Sequence, residues 1–233
     1  MRKAHLCPSP IHFVHLHHEH PWDVTPTEAV AIQRDLAEHV RFEPLPDTID
    51  SVAGVDVSVR GDRVRTAIVV LQVDDLEVVD HVTWEGPVAF PYVPGLLSFR
   101  EMPAVLPALD RLSTEPDVFI LDAQGYAHPR RFGLACHLGV LLDRPAIGVA
   151  KTRLVGYHDT PGPEKGERAP LVHDGETVGS VVRTRTNVKP VFVSVGHRAT
   201  LDDAVDLTLR CATRYKLPMP THLAHRLSKH GTL

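Results

Sequence analysis

Three acidic residues are candidates to share one metal ion. Asp56 sits within Val52-Ala53-Gly54-Val55-Asp56-Val57-Ser58-Val59. The alternation puts Val55, Val57 and Val59 on one face of a strand and Gly54, Asp56 and Ser58 on the other. A carboxylate in the middle of an apolar strand loses solvation unless something pairs with it. A divalent cation is one such partner; an exposed edge strand is the alternative. Asp122 follows the apolar run Phe119-Ile120-Leu121. Ligands of open α/β sheets gather outside the carboxyl ends of strands, although an aspartate there can also simply form a turn. Glu101 lies in Ser98-Phe99-Arg100-Glu101, which on its own reads as a solvated stretch of helix. Three carboxylates without a His/Cys thiolate set suit a hard cation, Mg²⁺ with Mn²⁺ as substitute. One or two such ions activate water and stabilise the leaving oxygen of a phosphodiester. Lys151, just after Ile147-Gly148-Val149-Ala150, could neutralise charge on that phosphate or orient the water; a solvated strand-end lysine is the commoner case.

The elements that must position these residues are legible in outline. Thr25-Pro26-Thr27-Glu28 carries helix-start signals, and Ala29, Ile32, Leu36 and Val40 form its apolar stripe. Strands are expected at Ser51 to Val59, Arg65 to Val73 and Glu77 to Trp84, joined by short turns that favour antiparallel pairing. The proline-rich loop Phe90-Pro91-Tyr92-Val93-Pro94-Gly95 leads into a helix from Leu96 to Leu112, which Pro103 and Pro107 should kink or break. Then come a strand at Asp117 to Leu121, a helix at Arg131 to Leu142 and a strand at Pro145 to Ala150. Residues 156–176 read as a loop excursion. Strands at Thr177 to Val182 and Pro190 to Val195, and helices at Asp202 to Arg214 and Thr221 to Lys229, complete the chain. The order implies an α/β mixed sheet, three antiparallel strands then parallel strands, flanked by helices. It is the element order of the ribonuclease H-like fold, in which the positions of Asp56, Glu101 and Asp122 converge.

The composition is compatible with this. The 233 residues, 43% of them hydrophobic, are enough for one domain with a sizeable core. No apolar run is long enough to span a membrane, and no signal peptide is read at the start. Cys7, Cys136 and Cys211 are odd in number and widely spaced, which fits a reducing cytoplasm and no disulfide framework. The net charge of −4 hides a split: residues 1–122 hold 9 Lys+Arg against 20 Asp+Glu, and residues 123–233 hold 16 against 9. A basic half raises the case for a nucleic-acid partner, although a segregated solvated surface would look the same. Residues 1–24 carry six histidines. His15-Leu16-His17-His18-Glu19-His20 could hold a metal, but a mobile tail ahead of a single domain at 25–233 is the expectation.

The chain resembles the endonuclease V family. The resemblance rests on Val52-Ala53-Gly54-Val55-Asp56, Pro91-Tyr92-Val93-Pro94-Gly95-Leu96-Leu97-Ser98-Phe99-Arg100-Glu101, Asp122-Ala123-Gln124-Gly125-Tyr126-Ala127-His128-Pro129-Arg130-Arg131, Ile147-Gly148-Val149-Ala150-Lys151 and Ser194-Val195-Gly196-His197. It implies Mg²⁺ held by Asp56, Glu101 and Asp122. It also implies cutting of DNA at the second phosphodiester 3′ to deoxyinosine, leaving 3′-hydroxyl and 5′-phosphate ends with the base in place. Pro91, Tyr92, Val93, Pro94 and Gly95 correspond to a wedge that enters the duplex at the lesion. Lys151 matches a lysine near the scissile phosphate, His128 an active-site position, and His225 a late histidine near the metal. The family usually shows Asp-Gly where this chain has Asp122-Ala123, so the added methyl tightens a place where glycine permits close approach.

Recognition can be sketched from the same residues. Prolines stiffen the wedge, and the Tyr92 ring can replace a stacked base where a damaged pair opens most cheaply. Backbone N–H groups at Gly95 and around Ala123 to Gly125 could reward the six-carbonyl of hypoxanthine. His128, Arg130 and Arg131, at an expected helix start, are candidate phosphate contacts, with one of the two arginines expected to be a plain surface charge. The partner is then DNA with deaminated bases, or inosine-containing RNA, and the chain is expected to act as a monomer. A binding module without catalysis is disfavoured by the intact carboxylates, and a transposase or junction resolvase leaves the wedge unexplained.

Overall fold

A computed structural model of the chain describes residues 15–233. Eight strands form one sheet: β1 (Ser51–Arg60), β2 (Arg63–Gln72), β3 (Val78–Pro87), β4 (Val118–Leu121), β5 (Ala146–Ala150), β6 (Arg168–His173), β7 (Glu176–Val182) and β8 (Val191–His197), in spatial order β3-β2-β1-β4-β5-β8-β7-β6. β1, β2 and β3 are antiparallel, and β4 and β5 continue parallel to β1. Beyond β5 the sheet turns antiparallel again through β8, β7 and β6.

Helices cover both faces. Even-numbered Val52 on β1 joins Val118 and Ile120 under α4 (Leu201–Cys211) and α5 (Met219–His230). Odd-numbered Ala53 and Val55 face α2 (Leu97–Leu109) and α3 (Leu134–Leu142) with Met102, Val105 and Leu138. The period of two thus sends Asp56 to the α5 side. Helix α1 (Pro26–Ala37), capped by Thr25 and Glu28 in a reciprocal capping box, packs Leu36 against Phe132 and Cys136 beside α3.

Four expectations need correction. Pro103 and Pro107 do not end α2, which is continuous through both. Both prolines lie four residues apart on its half-buried side, while Phe99, Met102, Val105 and Leu109 are buried. Burial worth roughly 1.5–3 kcal/mol per large side chain offsets about 3 kcal/mol for each proline. Residues 156–176 are not all loop, because β6 forms a hairpin with β7. Its Pro170 is tolerated because β6 is the outermost strand, and Asp174 and Gly175 both take positive φ at the turn. Helix α3 begins at Leu134 rather than Arg131, whose φ is +56°. Finally, residues 15–24 are packed, not a free tail: His17 N–H donates to Leu141 O (2.7 Å), His20 and His137 share a hydrogen bond of 2.8 Å, and Trp22 stacks on His137. Leu16 and Trp22, set among the histidines, supply the apolar area that holds this segment. Residues 1–14 of the proposed tail lie outside the described residues.

Helix and sheet approach closely at Gly54. A Cβ there would lie 2.1 Å from the Pro220 carbonyl carbon at the start of α5. Gly54→Ala must push α5 away from β1. Urea denaturation is expected to show a loss of about 1–3 kcal/mol; unchanged stability would mean that α5 is not seated there.

Candidate active site

The sheet register brings the acids together. Val55 pairs with Leu121 in the parallel β1–β4 ladder, and Asp122 N–H donates to Val55 O at 3.3 Å. Asp56 and Asp122 are therefore the next residues along two adjacent strands. Helix α5 crosses beside them: His225 Nδ1 lies 3.2 Å from Asp56 Oδ1, and Ser228 donates to the other Asp56 oxygen. One ligand atom each from Asp56, Asp122 and His225 lies within 4.8 Å of the others. Among the described residues no other set of three metal-competent side chains meets this closely.

Electrostatics describe an under-neutralised site. Asp122 has a nearly buried side chain and is salt-bridged to Lys151, which emerges at the end of β5 and is 41% exposed. Burial pushes the Asp122 carboxyl up from its ordinary value, an effect partly offset by Lys151 and reinforced by the charge of Asp56. Glu101, on α2, stands next to this group. Burial, then the charges of Asp56 and Asp122, push its carboxyl up to about 8. It is electrostatically coupled to both aspartates, yet the compact trio is completed by His225 instead. Crowded carboxylates raise one another's pKa, and a hard divalent cation relieves that repulsion. The donor set of two to three carboxylates and one imidazole fits such an ion.

Beside the acids lies a cavity of about 140 Å³. Tyr92, Val93 and Gly95 line one side, with Ala123, Gln124 and His128 on the other. Tyr92 is 70% exposed at its rim, joined by exposed Leu97 and Leu154. The tyrosine is thus not packed on the core, and the wedge loop presents Pro91, Tyr92 and Pro94 outward. His128 is buried. Its Nε2 is 3.1 Å from Gly95 O and its Nδ1 accepts from Arg130 N–H (3.2 Å), so the ring is the Nε2–H tautomer. Burial and Arg130 push its pKa down to about 4, so it is neutral.

Other expected contacts are differently placed. His128, Arg130 and Arg131 lie in the loop before α3, not at its first turn. Arg130 donates to Gln33 and to Gly95 O. Arg131 turns to Glu176 and His173 on the β6–β7 hairpin. Gly125 N–H is already given to Ser194 Oγ (2.9 Å), and a Cβ there would lie 2.1 Å from Val195 O. Gly125 serves close packing. Three residues went unremarked in the sequence: Ser228, which holds Asp56; Gln124, whose buried Oε1 has no partner among the described residues; and Gln33. A signal existed for Gln33, a polar side chain on the same helix stripe as Ala29 and Leu36. A larger cavity of about 290 Å³ lies where β4 begins and α3 ends. Its charged residues Glu115 and Arg144 pair with each other, and Asp143 and Arg198 likewise; no metal-competent cluster reaches it.

The family model for endonuclease V matches residues 34–226. The chain belongs to the endonuclease V family. It is 52% identical over 209 residues to endonuclease V of Methanothrix thermoacetophila, covering 90% of this chain and 93% of that protein. The crystal structure of endonuclease V from Streptomyces avermitilis superposes with a TM-score of 0.86 at 46% identity, covering 90% and 94% of the two chains. Endonuclease V of Ciona intestinalis, solved in complex with a 24mer DNA containing an inosine followed by a ribo-adenosine, superposes with a TM-score of 0.76 at 27% identity, covering 88% and 96%. The mixed sheet flanked by helices is therefore the endonuclease V architecture. No helix among the described residues is long and apolar enough to cross a membrane.

The raised Glu101 carboxyl has a sign that can be checked. Without divalent ions the folded protein keeps this proton up to about pH 8, whereas the unfolded chain loses it near the ordinary glutamate value of 4.5. The folded state binds more protons in that window, so stability falls as pH rises through it. In chelator, Glu101→Gln is expected to raise the melting temperature near pH 9 and to change it little near pH 4, a difference on the order of a few kcal/mol. Equal effects at both pH values would show that Glu101 is not crowded by the aspartates.

Proposed function

We propose that the chain is a metal-dependent DNA repair endonuclease. It cuts the second phosphodiester 3′ to deoxyinosine, and beside other deaminated bases, leaving 3′-hydroxyl and 5′-phosphate ends. Support comes above all from the meeting of Asp56, Asp122 and His225 within 4.8 Å, next to a cavity walled by the exposed Tyr92 loop. Asp56, Asp122 and His225 would hold the ion with Glu101 as a further carboxylate. With Mg²⁺, or Mn²⁺ in its place, held there, the site would gain Lewis-acid chemistry: activation of water and neutralisation of charge at the phosphodiester.

The chain's own groups do the remaining work. Ser228 and His225 fix the Asp56 carboxylate, so little reorganisation is needed when the site loads. Lys151, anchored on Asp122 yet 41% exposed, keeps a cation at the rim where phosphate oxygens gain charge. The Tyr92 ring offers a stacking face to a duplex opened at the lesion, worth roughly 1–3 kcal/mol per base. His128 is a neutral Nε2–H donor committed to Gly95 O, which makes it part of the cavity wall. We place the enzyme in the cytoplasm, where Cys136 and Cys211 remain free thiols, and acting as a monomer.

A labelled duplex with one inosine should be nicked only with Mg²⁺ or Mn²⁺. Asp56→Asn and Asp122→Asn should lower the rate at least on the order of 100-fold while much of the binding persists. Tyr92→Ala should weaken discrimination between inosine and adenine more than metal affinity. Normal cutting by Asp122→Asn would sink the metal assignment. Xanthosine and uracil duplexes test the breadth of lesions. An all-RNA substrate cut faster than DNA would favour an inosine-specific ribonuclease, since the 2′-hydroxyl is the discriminating group.

A further inference from the structure

The wedge loop cannot be aimed by its tip, because Tyr92 is 70% exposed. Its base is held instead, at a single carbonyl. Gly95 O receives Gln33 Nε2 (3.1 Å), His128 Nε2 (3.1 Å) and Arg130 Nη2 (2.5 Å). A carbonyl oxygen has two lone pairs, so these three donors saturate it, and the charge-assisted bond from Arg130 makes the tie firm. Gly95 has a φ of +79°, and a Cβ there would lie 2.8 Å from Arg130 Nη2. The anchor therefore needs glycine at this position.

Gln33 is the hub. It is 1% exposed on α1. Its second amide hydrogen reaches Phe132 O (3.1 Å), and its Oε1 accepts from Arg130 Nε (2.6 Å). Gly95 belongs to the wedge wall of the cavity, and Phe132 precedes Gly133 and Leu134 on the opposite wall. One amide thus ties both walls together. Both of its hydrogens are spent on the protein, so it has no donor left to read a base.

We propose that Gln33, with Arg130, is a positioning residue that sets the wedge loop for opening duplex DNA. This rests on the nuclease reading above. A loop that must displace a stacked base works only if its base is rigid, and misplacement by about 1 Å can cost on the order of 100-fold. Substrates that need no opening should depend on the clamp far less.

The test compares one inosine strand, single-stranded and in duplex, with the full chain and Mg²⁺. For Gln33→Met, kcat/KM on the duplex is expected to fall on the order of tenfold or more, against less than about threefold on the single strand. Arg130→Met leaves α1 intact and must show the same duplex-selective loss, so it decides the matter if Gln33→Met fails to fold. A second readout needs no cutting: in an Asp122→Asn background, the fluorescence rise of 2-aminopurine next to the inosine on binding should shrink when Gln33→Met is added. Equal losses on both substrates would mark Gln33 and Arg130 as general fold or phosphate contacts and overturn the proposal. A changed preference between inosine and xanthosine at a constant duplex-to-single-strand ratio would make Gln33 a base reader and also overturn it. A wild-type chain that nicks no inosine substrate overturns the nuclease reading itself; nicking with unchanged ratios in both variants overturns only the clamp.

Discussion

Mutual repulsion among carboxylates, where β4 ends beside the middle of its parallel neighbour β1, governs this molecule. A register in which Val55 faces Leu121 leaves Asp56 and Asp122 side by side, and α2 delivers Glu101 into the same space. Among the described residues Lys151 is paired with Asp122, and the charge of Arg100 acts on Glu101. A fold optimised purely for stability would avoid such a cluster, because burying like charges is costly. The cost is tolerable where a cation completes the site, and local rules are most often broken at functional sites.

The geometry of that cluster is enforced from far along the chain. His225 and Ser228 are separated from Asp56 by 169 and 172 residues. They reach it because α5 lies directly on β1, an approach that the missing side chain of Gly54 permits. Ser58 Oγ donates to Ser228 O at 2.9 Å, a second tie between the same strand and helix. Gly54, Asp56 and Ser58 are thus one face used three ways: close contact, metal candidate and tether.

Much of this was legible in the sequence, for reasons that differ by element. The alternation through Val52 to Val59 identified both the strand and the face of Asp56, because Ala53 and Val55 pack on one side of β1 and Val52 on the other. The acidic trio followed from element order and family likeness. What was not legible depended on tertiary partners. The mid-chain loop hid β6, since an edge strand carrying Pro170 and charged neighbours has a weak periodic signal, although Asp174-Gly175 is a hairpin turn signature. The histidine-rich segment looked mobile because its anchors, Leu16 and Trp22, become meaningful only against α3. The position of Gln33 on the stripe of Ala29 and Leu36 signals burial, but its partners Gly95, Phe132 and Arg130 are set only by the tertiary fold.

One connection unites chemistry and recognition. The chain from Asp122 to Gly133 begins with a candidate metal ligand and ends as a cavity wall. It is closed on itself by Gly133 N–H to Gly125 O (2.9 Å) and joined to α3 by Ala135 N–H to Gln124 O (3.1 Å). Tyr126 N–H fastens it to β8 through Val195 O (2.7 Å). Neither Gly125 nor Gly133 has room for a Cβ, since backbone atoms would lie 2.1 and 2.3 Å away. A loop packed this densely moves as a unit or not at all. The distance between the acids and the cavity is therefore a fixed property of the fold, which suits an enzyme that must cut at a set spacing from the base it recognises. Variation in lesion preference then has to come from side chains that face the cavity, such as Ala123 and Gln124, or from the wedge loop opposite. The spacing itself belongs to the backbone.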